Sequence, residues 1–181
     1  MHLWQDLLLR LSNGLLHAVR GRINMSYIRA KTIEGLEAGD SFTVMRTFME
    51  EDMLTFAEIS RDYTPVHFDE RFAQAKKLSG RICHGLLVAS MLTEIRGQIG
   101  WLAAGMDLRF KGPVYFGDTI RCVLTITEID HQGRARAEAI FSNQDGDTVL
   151  QAVITGFVPE SRERRIMAAM LSEGDPTNKI T

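Results

Sequence analysis

Cysteine is scarce in this 181-residue chain, which has two, Cys83 and Cys122, in no CxxC or CxxxC spacing. That argues against a disulfide scaffold and a thiolate zinc site, and it makes a reducing compartment, the cytoplasm, the expectation. Proline is also scarce, with four residues, against 15 glycines. Together with a 45% hydrophobic content, this excludes a disordered, collagen-like or low-complexity protein. No apolar run approaches the ~20 residues that a bilayer span requires. The formal net charge of −2 supplies no basic excess for binding nucleic acid. What remains is a chain long enough for one domain with its own core, with room for extensions.

The charge is unevenly spread. Residues 1–33 hold Arg10, Arg20, Arg22, Arg29 and Lys31 against Asp6 alone, so the negative excess lies in the rest of the chain. In the same segment Leu3, Trp4, Leu7, Leu8, Leu11, Leu15 and Val19 recur at helical spacing. This reads as an amphipathic N-terminal helical extension, interrupted at Asn13-Gly14. It fits a helix packed on its own domain or on a partner subunit. An organellar presequence and a membrane-surface helix are the other readings.

The body, residues 34–158, opens with a strand-like alternation at Ser41–Phe48. Glu50, Glu51 and Asp52 then start a helix running to about Ser60, with acids in its favourable first turn. Arg61–Asp69 is irregular, and Glu70–Lys77 has the look of a short helix. After Gly85 comes Leu86–Ile99, too densely apolar for a surface helix. Four strand-like stretches follow: Trp101–Lys111, Thr119–Ile129, Arg134–Asn143 and Thr148–Val158. Glycine-containing turns punctuate them, among them Asp145-Gly146, a hairpin signal. Residues 159–181 form a charged tail with a short helical stretch at Ile166–Leu171. A long apolar helix beside an antiparallel sheet predicts an α+β fold in which the sheet wraps the helix, the layout of a hot-dog fold. Such a domain leaves an edge strand uncovered, which favours a homodimer or higher homo-oligomer.

Asp62 and His67 stand five residues apart in a proline-containing loop, a geometry that lets both side chains aim at one point. A carboxylate and an imidazole together suit general acid–base chemistry; capping of local backbone groups is the other reading. Gly85 stands at the start of the apolar helix, where N–H groups lack partners and a ligand can approach the backbone closely. That suits an oxyanion site, and it equally suits a tight turn into the helix. His84 beside Cys83 reads as a structural histidine, because adjacent side chains diverge in extended backbone. His67, Asp69 and His84 show no recognised metal-ligand spacing, so no metal is expected.

These stretches resemble the MaoC-like, or hydratase-2, family of (R)-specific enoyl-CoA hydratases and dehydratases. The family's Ser/Thr-Gly-Asp-x-Asn-Pro-Leu/Ile/Val-His motif stands here as Ser60-Arg61-Asp62-Tyr63-Thr64-Pro65-Val66-His67. Its His-Gly-Leu/Met-Leu stretch stands as His84-Gly85-Leu86-Leu87. Its Phe-Lys-x-Pro-Val…Gly-Asp segment is similar to Phe110-Lys111-Gly112-Pro113-Val114 and Gly117-Asp118. The resemblance spans about residues 36–158. Arg61 replaces a glycine and Thr64 an asparagine. A cation at Arg61 close to Asp62 would favour the ionised carboxylate.

The resemblance implies a substrate, a trans-2-enoyl thioester of coenzyme A or of an acyl carrier protein, hydrated to the (R)-3-hydroxyacyl thioester or formed by the reverse dehydration. It implies that His67 takes a proton from water attacking Cβ. Asp62 would place that water and supply or relay the proton to Cα, and the Gly85 N–H would hold the thioester oxygen. No metal or organic cofactor is needed. The family's hydroxyl that holds the Asp would be Thr93 or Ser90 on the central helix; each equally suits a bond back to its own helix. Arg109 and Lys111, on one face of a strand, would suit the phosphates of coenzyme A, as would Lys76, Lys77 and Arg81. Two other readings of the same fold are a thioesterase, with Glu94 as the acid of the central helix, and a non-catalytic acyl-thioester-binding subunit.

Overall fold

The computed structural model of the chain describes residues 26–178. Five strands form one antiparallel sheet: β1 (Ser41–Thr47), β2 (Leu102–Phe110), β3 (Thr119–Ile129), β4 (Arg134–Ser142) and β5 (Thr148–Phe157). Their order is β1-β3-β4-β5-β2, which leaves β1 and β2 at the edges. The helices are α1 (Tyr27–Glu34), α2 (Glu50–Ser60), α3 (Glu70–Ala75), α4 (Gly85–Ala89), α5 (Met91–Ile99) and α6 (Ser161–Ser172), with a 3₁₀ turn at Pro65–His67. This is the expected α+β hot-dog layout. None of these helices is long and apolar enough to cross a membrane.

The period-2 pattern of β3 becomes its pleat: Ile120, Cys122, Leu124 and Ile126 face inward without solvent contact. On the middle strand β4 the inward positions Ala135, Ala137 and Ala139 are small. They leave depth for the helix, whose Met91, Leu92, Ile95 and Ile99 are fully buried. Each side chain so buried contributes roughly 1.5–3 kcal/mol, and no disulfide is involved, both cysteines being free.

The sequence predicts one helix over Leu86–Ile99; the structure resolves it into α4 and α5 with a step at Ser90. Ser90 keeps helical angles (φ −60°, ψ −19°). Its N–H is shared between the Leu86 and Leu87 carbonyls at 3.0 and 3.1 Å, and Thr93 N–H returns to Ser90 O at 2.8 Å. The turn is therefore tightened toward 3₁₀ geometry. Nor is the helix apolar on every side. Leu86, Thr93 and Gly97 are exposed and Ser90 is half-buried, forming one stripe at helical spacing.

The predicted amphipathic pattern over residues 3–19 lies outside the described residues. Residues 26–33, grouped in the sequence with that segment, pack on the body. Ser26 caps α1 by accepting from Arg29 N–H at 3.1 Å. The buried Arg29 donates to Gly97 O at 3.2 Å and pairs with Asp175 at 3.6 Å. The tail carries a longer helix than its apolar stretch suggests, because Glu163 accepts from Glu160 N–H and starts α6 upstream. Arg164 of α6 donates to Glu34 O at 2.9 Å, tying both ends of the described chain together.

Candidate active site

The turn after α2 is built by its own side chains. Arg61 takes the left-handed conformation (φ 58°) and donates its N–H to Ala57 O at 2.7 Å, closing the helix. Asp62 then accepts on Oδ1 from both Thr64 N–H (3.1 Å) and the Thr64 hydroxyl (2.6 Å). Pro65 opens the 3₁₀ turn that carries His67. One carboxylate oxygen is thus held by the turn. The side chain as a whole keeps 46% exposure. The Thr64 hydroxyl, followed by the Thr64 amide, holds the Asp62 carboxyl below its ordinary value, so Asp62 is ionised at neutral pH. Arg61 makes no ion pair with Asp62 among the described residues; the ionised state comes from Thr64. An L-residue at positive φ is strained where glycine is not. Relief of roughly 1–2 kcal/mol of left-handed strain, less the roughly 0.5–1 kcal/mol entropic cost of glycine, makes Arg61→Gly expected to stabilise the fold by about 0.5–1 kcal/mol, read as a higher denaturant midpoint with unchanged slope.

His67 is buried, and its Nδ1 lies 2.8 Å from Ile82 O. A carbonyl can only accept, so Nδ1 carries the proton and Nε2 keeps its lone pair. Burial, the largest influence, pushes the His67 imidazolium below its usual value, leaving the ring neutral near pH 7. The His84 ring stacks on it with centroids 3.8 Å apart and planes 29° apart. His84 Nε2 donates to the Asp62 backbone carbonyl at 2.8 Å. A carboxylate oxygen of Asp62 and one ring nitrogen from each histidine lie within 4.8 Å of one another.

This group opens into a cavity of about 310 Å³ whose wall includes Asp62, His67, Gly85, Leu86, Val88 and Phe110. Gly85 begins α4, so its N–H belongs to the first-turn amides without an intrahelical partner. A Cβ at Gly85 would stand 2.5 Å from Cε1 of Phe110. Glycine here lets the β2 aromatic ring lie over the helix start.

The sequence matches the MaoC like domain family over residues 33–144. The chain belongs to the MaoC-like family. It is 29% identical over 130 residues to an (R)-specific enoyl-CoA hydratase of Rhodospirillum rubrum, covering 70% of this chain and 90% of that one. Over 99 residues it is 36% identical to a mitochondrial 3-hydroxyacyl-[acyl-carrier-protein] dehydratase of Arabidopsis thaliana, covering 54% of this chain and 58% of the relative. Its fold superposes on the unliganded R-hydratase of Pseudomonas aeruginosa with a TM-score of 0.65 and 29% identity, over 71% of this chain and 85% of that one.

Within this MaoC-like chain several expected residues stand elsewhere. The Ser90 hydroxyl donates to Leu87 O at 2.6 Å and that of Thr93 to Ser90 O at 2.6 Å. Both are satisfied by their own helix, and the hydroxyl that holds Asp62 is Thr64's. An Asp-x-Thr spacing in a turn is the local signal by which it could have been found. Arg109 and Lys111 are exposed and do not line the cavity; strand alternation turns them from the face where Phe110 meets Gly85. Arg109 lies 3.5 Å from Asp107. Arg81 is held by Glu50 at 2.6 Å, and Glu94 pairs with Arg46 at 2.7 Å. Asp69 caps α3 and pairs with Arg71, so it does not join the histidines. Burial pushes the Cys83 thiol up to about 12, leaving it no nucleophile beside His84. In the Asp62–His67–His84 set, His67 Nδ1 and His84 Nε2 are already committed to the Ile82 and Asp62 carbonyls.

Proposed function

We propose that this protein is a hydro-lyase that adds water across the double bond of a trans-2-enoyl thioester to give the (R)-3-hydroxyacyl thioester, or runs the reverse dehydration. The observation that carries this reading is that His67 and Asp62 line one cavity together with Gly85, the first residue of α4. The two named relatives act on a coenzyme A thioester and on a carrier-protein thioester; either arm suits the proposal.

In hydration, the ionised Asp62 accepts a hydrogen bond from the attacking water and aims it. His67 Nε2 takes the other water proton as the oxygen bonds to Cβ. The π electrons pass through Cα to the thioester oxygen, where the Gly85 N–H stabilises the enolate-like charge. The imidazolium then returns its proton to Cα as the carbonyl re-forms. Because Thr64 keeps Asp62 ionised, the proton for Cα comes from His67 rather than from Asp62. A thioesterase reading has less support, since Glu94 is committed to Arg46.

Crotonyl-CoA tests the proposal directly: loss of enoyl absorbance without release of free thiol supports it. Thiol release would replace it with a thioesterase, and silence across a series of acyl lengths with a binding subunit.

The protein is further proposed to work as a homodimer. Strand β2 is an unpaired edge carrying Leu102, Met106 and Phe110, at 72%, 43% and 55% exposure, and Leu86 at 59% lies beside Phe110 in the cavity wall. An antiparallel strand pairing with its own copy makes a two-fold interface that covers such an edge. Light scattering is expected to give twice the chain mass; a single-chain mass at every concentration would contradict it.

A further inference from the structure

His84 is assigned no part in the chemistry above, yet it touches every part of the site. It is 1% exposed. One ring edge, Nε2–H, holds the backbone carbonyl of Asp62 at 2.8 Å. One ring face lies 3.8 Å from the His67 ring. Its own carbonyl accepts Val88 N–H at 3.2 Å, fixing the turn on which Gly85 is the next residue. Phe56 and Phe68 wall it in, with centroids at 5.2 and 6.4 Å. Nδ1 is buried with no hydrogen-bond partner among the described residues. The Nε2–H edge of the ring is therefore held by the Asp62 carbonyl, with the Asp62 carboxylate 3.9 Å away, and by aromatic packing, and it cannot rotate without breaking these contacts.

We propose that His84 is the positioning residue of this site: one buried ring sets the Asp62 turn, the His67 imidazole and the Gly85 amide in register with one another. The inference rests on the hydro-lyase reading and adds a residue to it. Its physical basis is that Asp62 and His67 come from one loop and Gly85 from another stretch of chain, and that misplacement by about 1 Å can cost on the order of 10²-fold in rate. The loop is tied to the stretch before α4 by His67 Nδ1–H to Ile82 O and by Ile82 N–H to Val66 O, and the His84 contact adds a tie at Asp62 itself.

The test uses two variants and one measurement on the unaltered protein. His84→Phe keeps an aromatic ring against His67 and removes the donor to Asp62 O. His84→Gln keeps a donor at the Nε2 position and removes the stack. With crotonyl-CoA, H84F is expected to lose about 10²-fold in kcat with KM within about threefold, and H84Q to lose less. The readout that separates positioning from a general loosening of the fold is the split between the two constants, kcat lost at a KM within about threefold, with H84Q recovering part of what H84F loses. Retention of kcat within about threefold in both variants would overturn the proposal, as would a rise in KM as large as the loss in kcat. Long-range ¹H–¹⁵N spectra of the unaltered protein are expected to show His84 as the Nε2–H tautomer and His67 as the Nδ1–H tautomer at neutral pH. His84 found as the Nδ1–H tautomer would overturn the proposal even if neither variant folds. If the unaltered protein fails to hydrate any enoyl thioester, the hydro-lyase reading falls, while the tautomers still decide whether His84 is placed as described.

Discussion

Replacing His67 by Asn is expected to lower kcat for crotonyl-CoA hydration by ~10²–10⁴ with the fold intact. Asparagine sets an amide donor where Nδ1–H stood, so the bond to Ile82 O survives and only the base is lost. His67→Ala should lose as much activity and melt earlier, because it leaves the Ile82 carbonyl short of its donor. Asp62→Asn should fall in the same range: the amide oxygen still accepts from Thr64, but the charge that aims the water is gone. Losses below threefold in all three variants would remove the assignment. The pH profile has a fixed sign. Activity needs neutral His67, so it rises with pH through that group's value, which burial places below the usual ~6.5. Stability follows the same direction. The folded protein holds its proton here less tightly than the unfolded chain, so stability is lost as pH falls from the ordinary histidine value toward the lowered one, and above both the group contributes nothing.

The second large effect is expected at Gly85. Gly85→Pro removes the amide hydrogen while suiting the first position of a helix, where proline is tolerated. His84 already has the extended backbone (φ −61°, ψ 132°) that the residue before a proline adopts. Gly85→Ala is the matched control, since both variants place a Cβ against Phe110 but only one loses the donor. G85P is expected to fall ~10²–10³ below G85A in kcat, with both folded by circular dichroism. Equal activity in the two would show that the thioester oxygen is held elsewhere.

The sheet was legible because its signals are local. Ile120, Cys122, Leu124 and Ile126 alternate within one strand, and Asp145-Gly146 marks its own turn. The acids at 50–52 likewise announce α2 from within. The pairing of Asp62 with His67 was legible from spacing and from the family motif, as was the place of Gly85. Contacts across the fold were not. The family resemblance put Thr93 or Ser90 against Asp62, but a helical hydroxyl can always bond the carbonyl a turn behind it, and both do so. The cations flanking Phe110 drew attention, whereas the pleat sends the aromatic ring to the cavity and the cations away from it. Helix α1 has little apolar periodicity; it is fixed by Arg29 reaching Asp175, a partner near the far end of the chain. His84 looked structural beside Cys83, since nothing in its neighbours reveals a stack on a ring 17 positions earlier.

The hydroxyl that fastens Asp62 comes from the same three-residue turn rather than from the central helix. The acid therefore travels with its own clasp. Positions 90 and 93 are relieved of any duty to it, so their hydroxyls can be exchanged without unfastening the reacting carboxylate.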